Sequence, residues 1–275
     1  MFRAAALQMV SGPEVAANLA AAAPLIAAAA DAGAQLVVLP ENFAHMGIKD
    51  SDKLLVSETY GKGPIQDFLA AQASRHRIWL VGGTLPLKLG AAQATRALAA
   101  CLLYDDSGVC VARYDKMHLF DVDLPGSNEG YRESATLAAG SATQVCDTPF
   151  GRLGLAVCYD LRFPELFRRM SAPGPDGGAE LFALPSAFTR ATGQVHWEIL
   201  LRARAVENLA WMIAPDQGGR HANGRETWGH SMIVGPWGNV AARVEQGAGM
   251  ALAEIDLQQL HALRTRFPVL QHRRL

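Results

Sequence analysis

The chain is poor in cysteine, with 4 in 275 residues, and none of the four forms a Cys-x-x-Cys pair. Cys101, Cys110, Cys146 and Cys158 also have no histidine at zinc-finger spacing, so the common structural zinc modules are excluded. Two disulfides would satisfy the even count. A chain of this length, 50% hydrophobic, buries a large core without covalent staples. Its N-terminus has no secretory signal pattern, so free thiols in a reducing cytoplasm are expected. Lysine is scarcer than arginine, 5 against 20, and the formal net charge is -1. No block of like charge is present, so neither nucleic acid nor an anionic membrane is expected as a partner. The one candidate membrane stretch, 15–34, is mostly alanine and is broken by Asn18, Pro24 and Asp31. It reads as a packed surface helix. The 8 histidines, His118 among them, show no HExxH or paired-ligand spacing. No metal and no organic cofactor are expected.

What is present is a series of short apolar runs. Strands are predicted at 3–9, 35–39, 78–82, 100–104, 109–114, 153–158, 181–185, 211–214, 229–234 and 240–244. Several are continuously apolar, as strands covered on both faces are. The segments 105–108 (DDSG) and 235–239 (GPWGN) read as hairpin turns. Helices are predicted at 13–32, 64–74 and 196–208, the last from the spacing of Trp197, Leu200, Leu201, Ala205 and Leu209. Alternating strands and helices with intruding hairpins predict an α/β protein with mixed sheets and helices outside. No linker divides 1–275, and the loop 171–178 (SAPGPDGG) is too short to be a domain boundary.

Three chemically useful residues fall where apolar runs end. Glu41 follows the strand in VVLPENF, Lys116 follows the strand in ARYDKMHLF, and Cys158 ends the run in LGLAVCYDLRFPE. Each has an ordinary explanation alone: an exposed loop carboxylate, a solvated lysine, an inert core thiol. Together they place an acid, a base and a thiol at strand ends, where functional groups gather in sheet-based enzymes. A glutamate there can take the thiol proton. A lysine can lower the thiol pKa and hold a developing oxyanion, with the N–H of Tyr159 as a second donor.

The motifs PENF, YDKMHLFDVD, YRES, CYDLRFPEL and PSAFT, in that order, resemble the nitrilase superfamily of carbon–nitrogen hydrolases. HWEILLRARAVEN and GHSMIVGPWG extend the likeness over nearly the whole chain. The resemblance implies a four-layer α-β-β-α sandwich, two mixed sheets with helices outside, that pairs across a helical face as a homodimer or higher homo-oligomer. On this reading 255–275 is a tail that contacts another subunit. It implies a Glu41–Lys116–Cys158 triad, with Glu133 of YRES positioning Lys116. DLRFPEL, PSAFT and HWEILLRARAVEN are most similar to the deaminated-glutathione amidases, with the omega-amidases as near relatives. HLFDVD followed by Pro125-Gly126 suits both. Two stretches depart from that pattern: Val195 replaces a small residue, and Pro215 and Asp216 stand where small residues are expected.

The implied reaction is hydrolysis of a small, carboxylate-bearing amide through a thioester on Cys158. Arg162 and Arg190 are the candidates for the substrate carboxylate, and Phe188, Thr189 and Phe120 for the pocket wall. Arg162 could instead pair with Asp160 or Glu165, and Phe120 could be plain packing. Cys101, Cys110 and Cys146 are expected in the core. The alternatives are an omega-amidase, an N-carbamoyl amidase or a nitrilase. From a different class comes a redox-active thiol protein, for which no resolving cysteine lies nearby.

Overall fold

The computed structural model describes residues 1–90, 95–125 and 129–274; Gly126 of the PG step lies outside them. Along the chain come β1 (Phe2–Gln8), α1 (Val15–Asp31), β2 (Ala34–Val38), α2 (Asp52–Leu55), α3 (Pro64–His76), β3 (Trp79–Val81), β4 (Leu85–Lys88), β5 (Ala97–Tyr104) and β6 (Cys110–Asp115). There follow β7 (Asp121–Asp123), β8 (Gly130–Arg132), β9 (Gln144–Thr148), β10 (Gly151–Leu155), α4 (Pro164–Ser171), β11 (Leu181–Ala183) and α5 (Arg190–Asn208). Last are β12 (Trp211–Ala214), β13 (Met232–Val234), β14 (Val240–Arg243), β15 (Gly249–Ile255) and α6 (Leu257–Arg266).

Among the described residues the strands form two large sheets and a ribbon. The first sheet runs β15-β1-β2-β3-β5-β4, with β6 on β5; the second runs β14-β13-β12-β11-β10-β9; β7 and β8 make the ribbon. Parallel pairs (β1–β2, β2–β3, β10–β11, β11–β12) lie beside antiparallel ones, so both sheets are mixed. Strand pleating sorts the first sheet. Ala4, Ala6, Leu36 and Val38 face the core between the sheets, while Ala5, Leu7, Val37 and Leu39 pack with Ile26 of α1 and Leu69 of α3. On the second sheet's outer side, α4 and α5 contribute Phe167, Met170, Trp197 and Leu201 to a core that is continuous with the inter-sheet layer. The layers are therefore helix, sheet, sheet, helix, as expected. Burying each large apolar side chain contributes about 1.5–3 kcal/mol.

The hairpin turns at 105–108 and 235–239 are present, closed by Asp105 N–H to Val109 O at 2.9 Å and Gly235 N–H to Asn239 O at 2.9 Å. Several boundaries differ from the sequence reading, and two of them bear on the site. The strand predicted at 153–158 stops at Leu155, and Cys158–Arg162 is a 3-10 turn. The helix predicted from 196 begins at Arg190, because the buried Thr189 caps it. The final segment folds back as α6, which buries Leu260 and sends Arg264 Nε to Leu209 O at 2.9 Å and Nη2 to Ala179 O at 2.7 Å. Among the described residues no helix is long and apolar enough to cross a membrane.

Candidate active site

The strands aim their carboxyl ends at one place. β2 continues through Leu39, whose N–H reaches Val81 O at 2.9 Å, and delivers Glu41. The chain turns sharply there. Asn42 has φ 57°, a left-handed conformation that asparagine tolerates. Gly83, at φ 57°, packs so tightly on the Pro40 carbonyl that a Cβ would lie 2.1 Å from its oxygen. Gln217, after β12, donates from Nε2 to Glu41 O at 3.0 Å and to Ser11 Oγ at 2.8 Å, which fixes the backbone at the carboxylate.

Lys116 follows β6 and is 1% exposed. Its Nζ donates to Glu41 Oε1 at 2.8 Å and to Glu133 Oε2 at 2.8 Å and Oε1 at 3.1 Å. Glu133 lies in the 3-10 turn Glu133–Ala135, and its Oε2 also accepts the Phe120 N–H at 2.8 Å. Burial alone would lower the Lys116 pKa. The carboxylates of Glu133 and Glu41 outweigh it and hold the ammonium well above its ordinary value. For Glu133 burial pushes the other way, and the Lys116 charge and hydrogen bond leave its pKa below the usual carboxylate value.

Cys158 arrives from the second sheet, at the start of its turn, with φ 46°. A side chain other than glycine in this region costs about 1–3 kcal/mol, and the surroundings must hold it there. They do. The Cys158 N–H donates to Pro185 O at 2.9 Å. Fully buried Asp160 accepts from Val157 N at 2.8 Å and Tyr114 Oη at 2.7 Å on Oδ2, and from His118 N at 3.1 Å on Oδ1, with His118 Nδ1 at 2.7 Å. Arg204 of α5, buried as well, donates from Nε and Nη2 to Leu161 O at 3.0 and 2.7 Å. Burial and the nearby Glu41 charge push the Cys158 thiol well above its ordinary pKa, against the opposing pull of Lys116 and the Ala187 N–H. These surroundings favour the neutral thiol over the thiolate, so attack needs a base beside it.

Glu41, Lys116, Glu133, Cys158 and Tyr159 line one narrow pocket with Phe120, Arg162 and Phe188. Arg162 donates from Nη1 to His196 Nδ1 at 3.3 Å and lies over the rings of Tyr159 and Phe188 at 5.8 and 5.6 Å. It makes no ion pair among the described residues, and Asp160 is occupied elsewhere. Thr189 reaches the wall while capping α5, its Oγ1 accepting from Thr192 N at 3.3 Å. Arg190 is not brought to the pocket: as the first residue of α5 it points outward and pairs with Glu226 at 3.2 Å. Among the described residues no three His, Cys, Asp or Glu side chains gather to hold a metal ion. Cys101 is buried, and Cys110 and Cys146 are partly so.

Several contributors have no local sequence signal. Gln217, Arg204 and Arg225 reach the site only through the fold. Asp216, noted in the sequence only as out of pattern, is fully buried and accepts the Phe188 N–H at 2.7 Å on Oδ1. Burial pushes its carboxyl pKa well above the ordinary value.

Comparison with known proteins gives a consistent result. The Carbon-nitrogen hydrolase family profile matches residues 3–265. The deaminated glutathione amidase of Synechocystis sp. (strain PCC 6803 / GT-S) is 42% identical over 274 residues, 99% of this chain and 98% of that protein. The Homo sapiens protein of the same name is 40% identical over 271 residues, 98% of this chain and 81% of its own. Among solved structures, Saccharomyces cerevisiae Nit3, a member of branch 10 of the nitrilase superfamily, superposes with a TM-score of 0.86 at 30% identity, covering 100% of this chain and 97% of that one. The C. elegans NitFhit protein gives 0.87 at 38% identity; the match covers 99% of this chain and 65% of that protein.

Proposed function

The chain belongs to the carbon–nitrogen hydrolase family and cleaves an amide of a small molecule; we propose that it does so through Cys158, Glu41 and Lys116, and that its amide is deaminated glutathione. The observation that carries the chemistry is one buried ammonium, Lys116, held between Glu41 and Glu133 in the pocket that Cys158 enters. The relatives at about 40% identity over nearly the whole chain support the substrate.

In this reading Glu41 takes the thiol proton as Sγ attacks the amide carbon, a kind of help worth about 10²–10⁴ in rate. Lys116 and the Tyr159 N–H hold the oxyanion. The C–N bond breaks, the amine leaves with the proton from Glu41, and a thioester remains on Cys158. Water gives a proton to Glu41 and attacks the thioester. The C–S bond breaks, the acid departs, and Glu41 returns the proton to the Cys158 sulfur. Glu133 fixes Lys116 through two hydrogen bonds. Arg162 and Phe188 line the acyl side, where Arg162 receives a carboxylate.

The same reading places the protein in a reducing compartment such as the cytoplasm, in keeping with four unpaired cysteines. It gives a homodimer across the outer face of α5. Val195, Ile199, Val206 and Trp237 stand exposed there, with Phe267 of the C-terminal segment 5.7 Å from the Trp237 ring.

The test is amine or ammonia release from deaminated glutathione, alpha-ketoglutaramate, an N-carbamoyl amino acid and a simple nitrile. Cys158→Ala and Lys116→Ala are run beside the unmodified chain. Preference for deaminated glutathione is expected, with turnover abolished in both variants. Preference for another compound would move the substrate and keep the triad, whereas full activity in Cys158→Ala would remove the triad.

A further inference from the structure

The pocket has a neighbouring cavity at Glu133. Phe120, Glu133 and Arg225 also line a second, wider chamber of about 240 Å³. At ~30 Å³ of liquid volume per water, that is the room of about eight waters, enough for an amino-acid-sized group. Asn42, the chain neighbour of Glu41, lines this chamber too. The chamber thus adjoins the residue that would return a proton to a departing nitrogen, although Glu41 itself lines only the narrow pocket. Arg162 and Thr192 line the narrow pocket but not the chamber.

The charges in the chamber wall do not balance. Of its carboxylates, Glu133 is already held by Lys116. Asp50, with a side chain 67% exposed, meets Lys53 only at 3.9 Å, and an exposed pair of that kind is weak. Of its cations, Arg132 is spent on Asp123, with Nη2 2.8 Å from both carboxylate oxygens. Lys49 lines the chamber too but is exposed, so Lys53 and Arg225 are the half-buried cations left with charge to offer. Arg225 is held in place: Nη2 donates to Ala187 O at 2.5 Å, and the guanidinium lies 5.1 Å from the Tyr131 ring centre. Its Nε is buried with no hydrogen-bond partner among the described residues. Lys53 is near enough to Glu133 to lower that carboxyl's pKa.

We propose that this chamber receives the amine half of the substrate, and that it selects an amine carrying a carboxylate, which Lys53 and Arg225 bind. The inference rests on the amidase reading and deepens it. Such an arrangement puts one cationic group on each side of the scissile bond, Arg162 for the acyl half and the Lys53–Arg225 pair for the amine half. A guanidinium suits a planar carboxylate, and lysine adds a second charge.

Three amides with one acyl group test it: the primary amide, the amide of a glycine-terminated dipeptide, and the same dipeptide amide with its terminus capped as a carboxamide. The readout is the kcat/KM ratio of the free-carboxylate form to the capped form. The unmodified chain should favour the free carboxylate by about tenfold or more, the scale of a charge-assisted contact. Lys53→Ala should bring the ratio close to one, Lys53→Arg should restore most of it, and Arg225→Lys should reduce it. A ratio near one in the unmodified chain, or one that Lys53→Ala and Arg225→Lys leave unmoved, overturns the subsite while the amidase reading stands. Failure to cleave any of the three amides would take the amidase reading down, and the subsite with it.

Discussion

The two sheets contribute to the site in different ways. The first supplies charge: Glu41 and Lys116 sit just past β2 and β6, and Lys116 is locked to Glu41 and to Glu133 at 2.8 Å each. The second supplies a nucleophile in a backbone conformation that cysteine disfavours, at φ 46°. Charge can be held by opposite charge, but a strained turn has to be held by its whole neighbourhood. Hence the charged half uses three side chains, while the thiol half uses Asp160, Pro185, Arg204 and the stretch 186–189.

That difference is most exposed at Asp160. Asp160→Ala leaves Tyr114 Oη, the Val157 N–H and the His118 N–H without their acceptor in the core. Stability should fall by about 3–5 kcal/mol. Where the fold survives, kcat should fall about 10²-fold, the scale of a misplaced nucleophile. Asp160→Asn keeps acceptor capacity and should recover part of both. Urea denaturation and initial rates measure the two effects. Unchanged kcat in the folded Ala variant would mean that the turn keeps its shape without Asp160.

A smaller effect probes the charged half. Glu133→Gln removes one of the two carboxylates on Lys116 and should cost about 1.5–3 kcal/mol at neutral pH. Its sign can be followed by pH. The folded Glu133 pKa lies below the ordinary 4.5, so the stabilisation is present above 4.5 and lost as pH falls through the folded value. Lys116 lies above its ordinary 10.5, so its contribution is present below 10.5 and lost as pH rises through the folded value. The stability gap between the two proteins should therefore hold across pH 5–10, by about the same linkage argument, and narrow in acid. Denaturation curves from pH 7 to 3 check this, and a gap of constant size down to pH 3 would separate Glu133 from the ion cluster.

The same contrast explains what the sequence reveals. A charge after an apolar run is a local signal, so Glu41 and Lys116 stand out in VVLPENF and ARYDKMHLF. Cys158 stands out too, but nothing in the run tells that the strand stops at Leu155, because a left-handed cysteine has no compositional mark. Layer order follows from alternating apolar runs and from the family resemblance. Gln217, Arg204 and Arg225 are illegible, since each reaches the site from a distant element. β15 and α6 had readable signals, alternate burial at Ala251, Ala253 and Ile255 and a capping Asp256, yet no element was predicted there. Arg190 is misjudged for a related reason: the apolar spacing starts the helix only at His196, so the cap at Thr189 that makes Arg190 the first residue of α5 goes unseen.

Thr189 both lines the pocket and caps α5, and the two roles can be told apart. Its hydroxyl can serve the helix or the substrate, and the two roles have different signatures. The cap bond from Thr192 N is long, 3.3 Å, so Thr189→Ala should cost about 0.5–1 kcal/mol, the low end for a lost cap. Thr189→Ser keeps the hydroxyl and should keep the stability. If the hydroxyl serves only the helix, KM for the amide stays near that of the unmodified chain in both variants while the Ala variant alone melts earlier. If it touches substrate, KM rises in the Ala variant with stability little changed. Paired denaturation and steady-state kinetics separate these outcomes, and the first is expected, because Thr189 Oγ1 is already engaged by Thr192 through both its N–H and its hydroxyl at 2.9 Å.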